Sequence, residues 1–178
     1  RQLVEHGFRV IRFDNRDAGL STRFSSAKRP RLMLAMIAAR LHLPVSAPYS
    51  LDDMAADTLG LIDALGITRA HVVGASMGGM IAQQLAARHP ARVLSLTSIM
   101  STSGNAKASK PTPAAARTLL ARPDNPADQQ AVIDHLMKTF GIIGSPGYPP
   151  EPHVLRARLL RSVQRAYHPA GVARQLLA

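Results

Sequence analysis

Val72-Val73-Gly74-Ala75-Ser76-Met77-Gly78-Gly79-Met80-Ile81-Ala82 reads as the end of a strand, one serine among small residues, and the start of a helix. Gly74-Ala75-Ser76-Met77-Gly78 fits G-x-S-x-G, the pattern of a nucleophile elbow. The geometry asks for these residue types. A serine held at a sharp strand-to-helix turn occupies backbone space that is costly for a residue with a Cβ. Gly74 and Gly78 leave room for the tight turn and for close strand–helix contact. The serine then projects where the free N–H groups and the dipole of the helix favour developing negative charge.

The flanks agree with this reading. Arg69 to Val73 is a short run ending in β-branched residues. From Met77 to His89, residues Met80, Ile81, Gln84, Leu85 and Arg88 recur at helical spacing, and Pro90 stops the pattern. The competing interpretation is a glycine-rich turn whose serine only caps a helix.

Upstream, Arg1 to His6 reads as the last turns of a helix with Gly7 as its C-terminal stop. Phe8 to Phe13 is expected to be a strand, and Asp14 to Ser21 a polar loop at its C-terminal end, the side on which open α/β sheets bind ligands. The loop is expected either to shape a pocket floor or to be pinned by a charge-assisted hydrogen bond of Asp14 and Arg16. Leu32 to Ala39 is apolar on every helical face, which suits a buried helix or a methionine-bearing wall of an acyl pocket. At Pro48-Tyr49-Ser50-Leu51-Asp52-Asp53 a helix starts, with Ser50 as cap and acids in the first turn. Its apolar face is Met54, Thr58, Leu59, Ile62 and Leu65, and Gly66 ends it. Val93 to Ile99 is a further strand. Strands alternating with helices argue for a parallel sheet with right-handed crossovers.

The composition shifts after Ser101. Ser103 to Pro113 is a linker, followed by helices expected over Pro113–Ala121, Asn125–Phe140 and Pro152–Tyr167 and another from Pro169. Arg158, Arg161 and Arg165 share one helix face, read as solvated rather than as a patch for an anionic substrate.

The net charge of +11 raises the question of an acidic partner, but aromatic residues are 4% with no tryptophan, so the chain lacks a stacking platform and no nucleic-acid partner is expected. With no cysteine, disulfide frameworks and thiolate chemistry are excluded, and a reducing, cytoplasmic setting fits. No apolar run approaches membrane-spanning length, so no membrane partner is expected. H-E-x-x-H, paired cysteines and a Walker loop are absent, and no metal or cofactor is implied.

Two segments carry a resemblance to a known family. The elbow run, together with Phe8-Arg9-Val10-Ile11-Arg12-Phe13-Asp14-Asn15-Arg16-Asp17-Ala18-Gly19-Leu20-Ser21, resembles the α/β-hydrolase superfamily. The second matches its strand followed by D-x-R-G-x-G-x-S, with Asp17 where glycine is more usual. Within that superfamily, the chain resembles the esterase-like branch that includes aclacinomycin methylesterase. The resemblance covers most of residues 1–104 and implies a mostly parallel sheet flanked by helices, with residues 105–178 as a helical cap.

It also implies a carboxylic-ester hydrolase acting on a small-molecule ester without a cofactor. Ser76 would be the nucleophile and the backbone N–H of Met77 one half of the oxyanion hole. A serine at this position argues against relatives that use a carboxylate nucleophile. Alternatives on the same scaffold are a proline-iminopeptidase-like amidase, a C–C bond hydrolase and a non-catalytic binding protein. Such enzymes run in the order Ser, acid, His. Of the later histidines, His89, His135, His153 and His168, none follows a strand, and Met100 to Asn105 holds no acid. Neither partner is identified, nor is the family's oxyanion loop before Arg1. The chain is therefore expected to be an internal fragment of a longer enzyme, inactive and poorly folded by itself.

Overall fold

The computed structural model describes residues 2–25, 38, 41, 43, 47–105 and 111–178. They form two compact units, one from Arg1–Ala70, Gln84–Leu94 and His168–Ala178, the other from His71–Gln83 and Ser95–Tyr167. The apolar run expected at Leu32–Ala39 lies outside the described residues except for Ala38.

In the first unit a short helix, α1 (Gln2–Glu5), ends at Gly7, whose φ of +83° is the left-handed stop expected of it. Residues 8–13 correct the sequence reading. They are not assigned to a strand, and Phe8, Val10, Ile11 and Phe13 are exposed. A strand is defined by its ladder, and the described sheet holds only two other segments. β-Branched and aromatic content alone does not supply a partner.

The loop after Phe13 closes on itself. Asp14 Oδ2 accepts from Leu20 N at 3.0 Å, and Asp14 O accepts from Ser21 Oγ at 2.6 Å. Gly19 sits at φ +55°, and a Cβ there would lie 2.1 Å from the Asp14 carboxylate. Arg16 reaches α2 (Leu51–Ala64), donating to both Asp57 oxygens at 2.6 and 2.7 Å and to Asp53 O at 3.2 Å. Its guanidinium also lies over the rings of Phe24 and Tyr49.

Helix α2 begins as its sequence dictates. Ser50 Oγ accepts from Asp53 N, while Asp53 Oδ2 accepts from Ser50 N at 2.8 Å, a reciprocal capping box. The bonds that Asp53 Oδ2 accepts from Ser50 N and from Ser50 Oγ, both at 2.8 Å, hold the Asp53 carboxyl below the usual aspartate range. Met54, Ala55, Thr58 and Ile62 are buried, whereas Leu65 at the end of the expected apolar face is exposed.

Asp17, the residue standing where the resemblance leads one to expect glycine, is the polar centre of this unit. Its side chain has no exposed surface. Oδ1 accepts from Phe24 N at 2.9 Å and from Arg174 Nη2 at 2.7 Å. Oδ2 accepts from Tyr49 Oη at 2.8 Å and from Arg174 Nε at 2.7 Å. Arg174 comes from α7 (Pro169–Gln175), whose Gly171 runs so close to the loop that a Cβ would lie 2.1 Å from Asp17 O. The Arg174 hydrogen bonds hold the Asp17 carboxyl far below its ordinary value despite burial. Burial, and then the bond to Asp17, pushes the Tyr49 hydroxyl well above its own.

The sheet among the described residues is one pair of strands, β1 (Ala70–Ala75) and β2 (Val93–Ile99), joined by α3 (Met77–Arg88) and a 3-10 turn (Pro90–Arg92). His71 meets Ser95 near one end, and Ser76 N bonds Ile99 O near the other. Both partners advance together, so the strands run parallel, as a helical crossover requires. Beyond Ile99 the described residues of the second unit contain helices and no strand: α4 (Pro113–Leu120), α5 (Gln129–Ile143) and α6 (Pro152–Arg165). Helix α5 starts later than the sequence reading placed it. Asn125 Oδ1 first accepts from Ala127 N in a turn, and Asp128 then caps the helix through Gln130 N. Arg158, Arg161 and Arg165 are exposed on α6, as expected of a solvated face. Among the described residues no helix is long and apolar enough to cross a membrane.

Removing one partner of a buried ion pair strands the other charge and costs about 3–5 kcal/mol. Arg174→Met is expected to lower unfolding stability by that amount, measured by urea titration near neutral pH. The folded-state pKa of Asp17 is depressed, so its contribution is present above the unfolded aspartate value of about 3.9 and is lost as pH falls below it. The urea midpoint should therefore drop between about pH 4 and pH 2, and Asp17→Asn should flatten that slope. An unchanged slope in the variant would contradict the assignment.

Candidate active site

The G-x-S-x-G segment turns directly from strand to helix, as expected. Ser76 stands between β1 and α3 at φ +53°, in left-handed space, and its residue is exposed. Such a conformation in a non-glycine residue costs about 1–3 kcal/mol and persists only where surrounding contacts fix it. Here they come from the end of β2. Ser76 N donates to Ile99 O at 2.9 Å, and Ser101 Oγ donates to Ser76 O at 2.8 Å. Inside the first helical turn, Gly79 N and Met80 N also donate to Ser76 O, at 2.9 and 3.3 Å. Met77 is the first residue of α3, so its N–H is one of those an α-helix leaves without an intrahelical carbonyl.

The glycines of the motif have unequal roles. A Cβ on Gly74 would fall 2.1 Å from Gly78 O, so the strand end and the helix start touch backbone to backbone. A Cβ on Gly78 would meet nothing within 4 Å. Gly78 therefore contributes its backbone position, not a missing side chain. The next residue, Gly79, has the steric role that pattern reading gave to Gly78. A Cβ on it would lie 2.6 Å from Ser101 Cβ and Oγ and 2.8 Å from Ser98 Oγ. Gly79 and Ser101 were not singled out from the sequence. The available signal was the second glycine of Gly78-Gly79 and the cluster of hydroxyl residues at Ser98, Ser101, Thr102 and Ser103.

Met100 is also left-handed, at φ +40°, and turns the chain at the end of β2. Gln83 braces this turn on both sides, with Nε2 at 3.1 Å from Ser98 Oγ and 3.4 Å from Thr102 O.

Several histidines hold other positions. His6 Nδ1 pairs with Gln2 O, His71 Nδ1 with Ser95 Oγ at 2.7 Å, and His168 Nε2 with Arg174 at 3.0 Å. Because arginine only donates, His168 Nε2 is the acceptor in that bond. In the first unit, Asp14, Arg16, Leu20 and Ser21 line an open depression of about 490 Å³ with Phe13 and Asp57, where Arg16 and Asp57 are already bonded to each other.

A profile of the α/β hydrolase fold family matches residues 1–132. The chain belongs to that family. Among its relatives, rhodomycin D methylesterase DauP of Streptomyces sp. (strain C5) is 40% identical over 96 residues, covering 54% of this chain and 26% of the relative. Rhodomycin D methylesterase DnrP of Streptomyces peucetius is 41% identical over the same shares of the two chains. The match thus spans about a quarter of the length of these relatives. The crystal structure of a hydrolase from Pseudomonas aeruginosa PA01 covers 76% of this chain and 48% of its own, with 24% identity and a TM-score of 0.42.

The two motif glycines are separable by experiment. Gly74→Ala is expected to lower the thermal midpoint strongly, since overpacking against backbone costs about 1–3 kcal/mol or more. Gly78→Ala should leave it unchanged or raise it slightly, because alanine is the better helix former by about 1 kcal/mol. Equal losses in both would contradict the geometry.

Proposed function

We propose that the intact protein hydrolyses a carboxylic ester of a small molecule, with Ser76 as nucleophile. The observation that carries this reading is the exposed serine in left-handed backbone at a strand-to-helix junction. Strain of that kind concentrates at functional sites. A serine serving only as a helix cap has extended backbone instead. The identity to two methylesterases over about half of this chain supports an ester as the substrate.

In this reading Ser76 Oγ attacks the ester carbonyl as a general base takes its proton. Met77 N–H donates to the oxyanion that forms, at the positive end of α3. The tetrahedral species expels the alcohol and leaves an acyl-enzyme, which water then cleaves to free the acid and restore the serine. The chemistry calls for no cofactor. The base and the acid that orients it are not assigned to residues of this chain, so residues 1–178 by themselves are expected to be nearly inactive. The helices α4 to α6 are proposed as a lid that excludes water from the acyl-enzyme. The lack of cysteine suits a cytoplasmic setting.

Ser76→Ala in the intact protein is expected to reduce p-nitrophenyl acetate hydrolysis by about 10⁴–10⁶-fold. The thermal midpoint should move little, because alanine and serine meet the same backbone constraint. Retained turnover would overturn the assignment.

A further inference from the structure

Ser101 stands outside the G-x-S-x-G pattern, yet its hydroxyl bonds the nucleophile's own peptide at 2.8 Å. We propose that Ser101 is a positioning residue for Ser76, fixing the left-handed backbone that aims Oγ; this rests on the reading of Ser76 as the nucleophile.

Three independent features of the geometry support it. First, the segment Ile99-Met100-Ser101 takes hold of Ser76 on both sides, with the Ile99 carbonyl on its N–H and the Ser101 hydroxyl on its C=O. A residue held at both backbone groups cannot rotate about φ without breaking one of the bonds. Second, space is reserved for Ser101. Gly79 has no Cβ where one would lie 2.6 Å from Ser101 Cβ and Oγ, so the side chain seats directly on the first turn of α3. Third, the backbone leading to Ser101 is itself shaped for this contact. Met100 turns through φ +40°, and Gln83 braces Ser98 and Thr102 on either side. Left-handed space at Met100 is unfavourable in an unconstrained turn, so the turn is imposed by these contacts.

The hydroxyl donates to the Ser76 peptide carbonyl and not to the Ser76 side chain. Ser101 therefore acts through Ser76 and does not itself touch the ester. A nucleophile misplaced by about 1 Å loses about 10²-fold in rate. The effect should appear in the chemical step and leave ester binding unchanged.

The test uses the intact protein with Ser101→Ala, Ser101→Thr and Ser76→Ala. Rates are taken per mole of site titrated by a fluorophosphonate burst, so that only folded protein is counted. Ser101→Ala should lower kcat by about 10–100-fold, slow phosphonylation in parallel, and leave KM within about twofold. Ser101→Thr, which keeps the hydroxyl, should retain most of kcat. A kcat in Ser101→Ala equal to wild type, with only a lower melting temperature, would make Ser101 structural and overturn the proposal while leaving Ser76 as the nucleophile. Equal losses of kcat in the alanine and threonine variants would likewise overturn it, by tracing the effect to packing. Turnover surviving in Ser76→Ala would instead remove the reading on which the proposal rests.

Discussion

A residue with a Cβ held at φ +53° between a strand and a helix is the constraint around which the second unit is arranged. Left-handed backbone is available to Ser76 only because its neighbours leave space and supply bonds. Gly74 lets the strand end come against the Gly78 carbonyl, and Gly79 lets the hydroxyl of Ser101 reach the Ser76 carbonyl. The parallel pairing of β1 and β2 delivers Ile99 O to the Ser76 N–H. Sheet, turn and helix start are thus one device, and none of the parts has a separate reason for its geometry.

The first unit holds a similar strain with side-chain bonds in addition. Asp17 is also left-handed, at φ +63°, with its N–H on Thr22 O at 2.8 Å and its carboxylate bonded as well. Two bonds from Arg174, one from Tyr49 and one from Phe24 N satisfy the carboxylate in a site that water does not reach. Buried charge is unfavourable unless every lone pair has a donor, and here the donors come from three separate stretches of chain. The pair is better understood as specifying where α7 lies against the Asp14–Ser21 loop than as a net source of stability. Gly171, whose missing Cβ admits Asp17 O, fits that purpose.

Local signals were legible in the sequence and distant partnerships were not. The strand-to-helix turn at Ser76, the capped start at Ser50, the stop at Gly7 and the helices of residues 113–175 each depend on residues a few positions apart, so pattern and propensity suffice. Asp17 stood in the sequence only as an exception to a loop pattern, because its partner Arg174 lies 157 positions away. Ser101 was missed for the same reason, since its acceptor is 25 positions back along the chain. Residues 8–13 show the reverse error. Their composition suits a strand, but a ladder requires a neighbour, and sequence alone does not show whether one is present. Of the two motif glycines, the pattern treated as equivalent what the backbone distinguishes, because a consensus records residue types and not the atoms a Cβ would meet.

Everything in the functional account depends on Ser76 being a chemically activated nucleophile in the intact protein. The most direct measurement is intact-mass analysis after reaction with a fluorophosphonate, followed by peptide mapping. The account predicts a single phosphonyl adduct per chain, located on Ser76 and absent after heat unfolding. An unmodified protein, or an adduct carried on another residue, would contradict it.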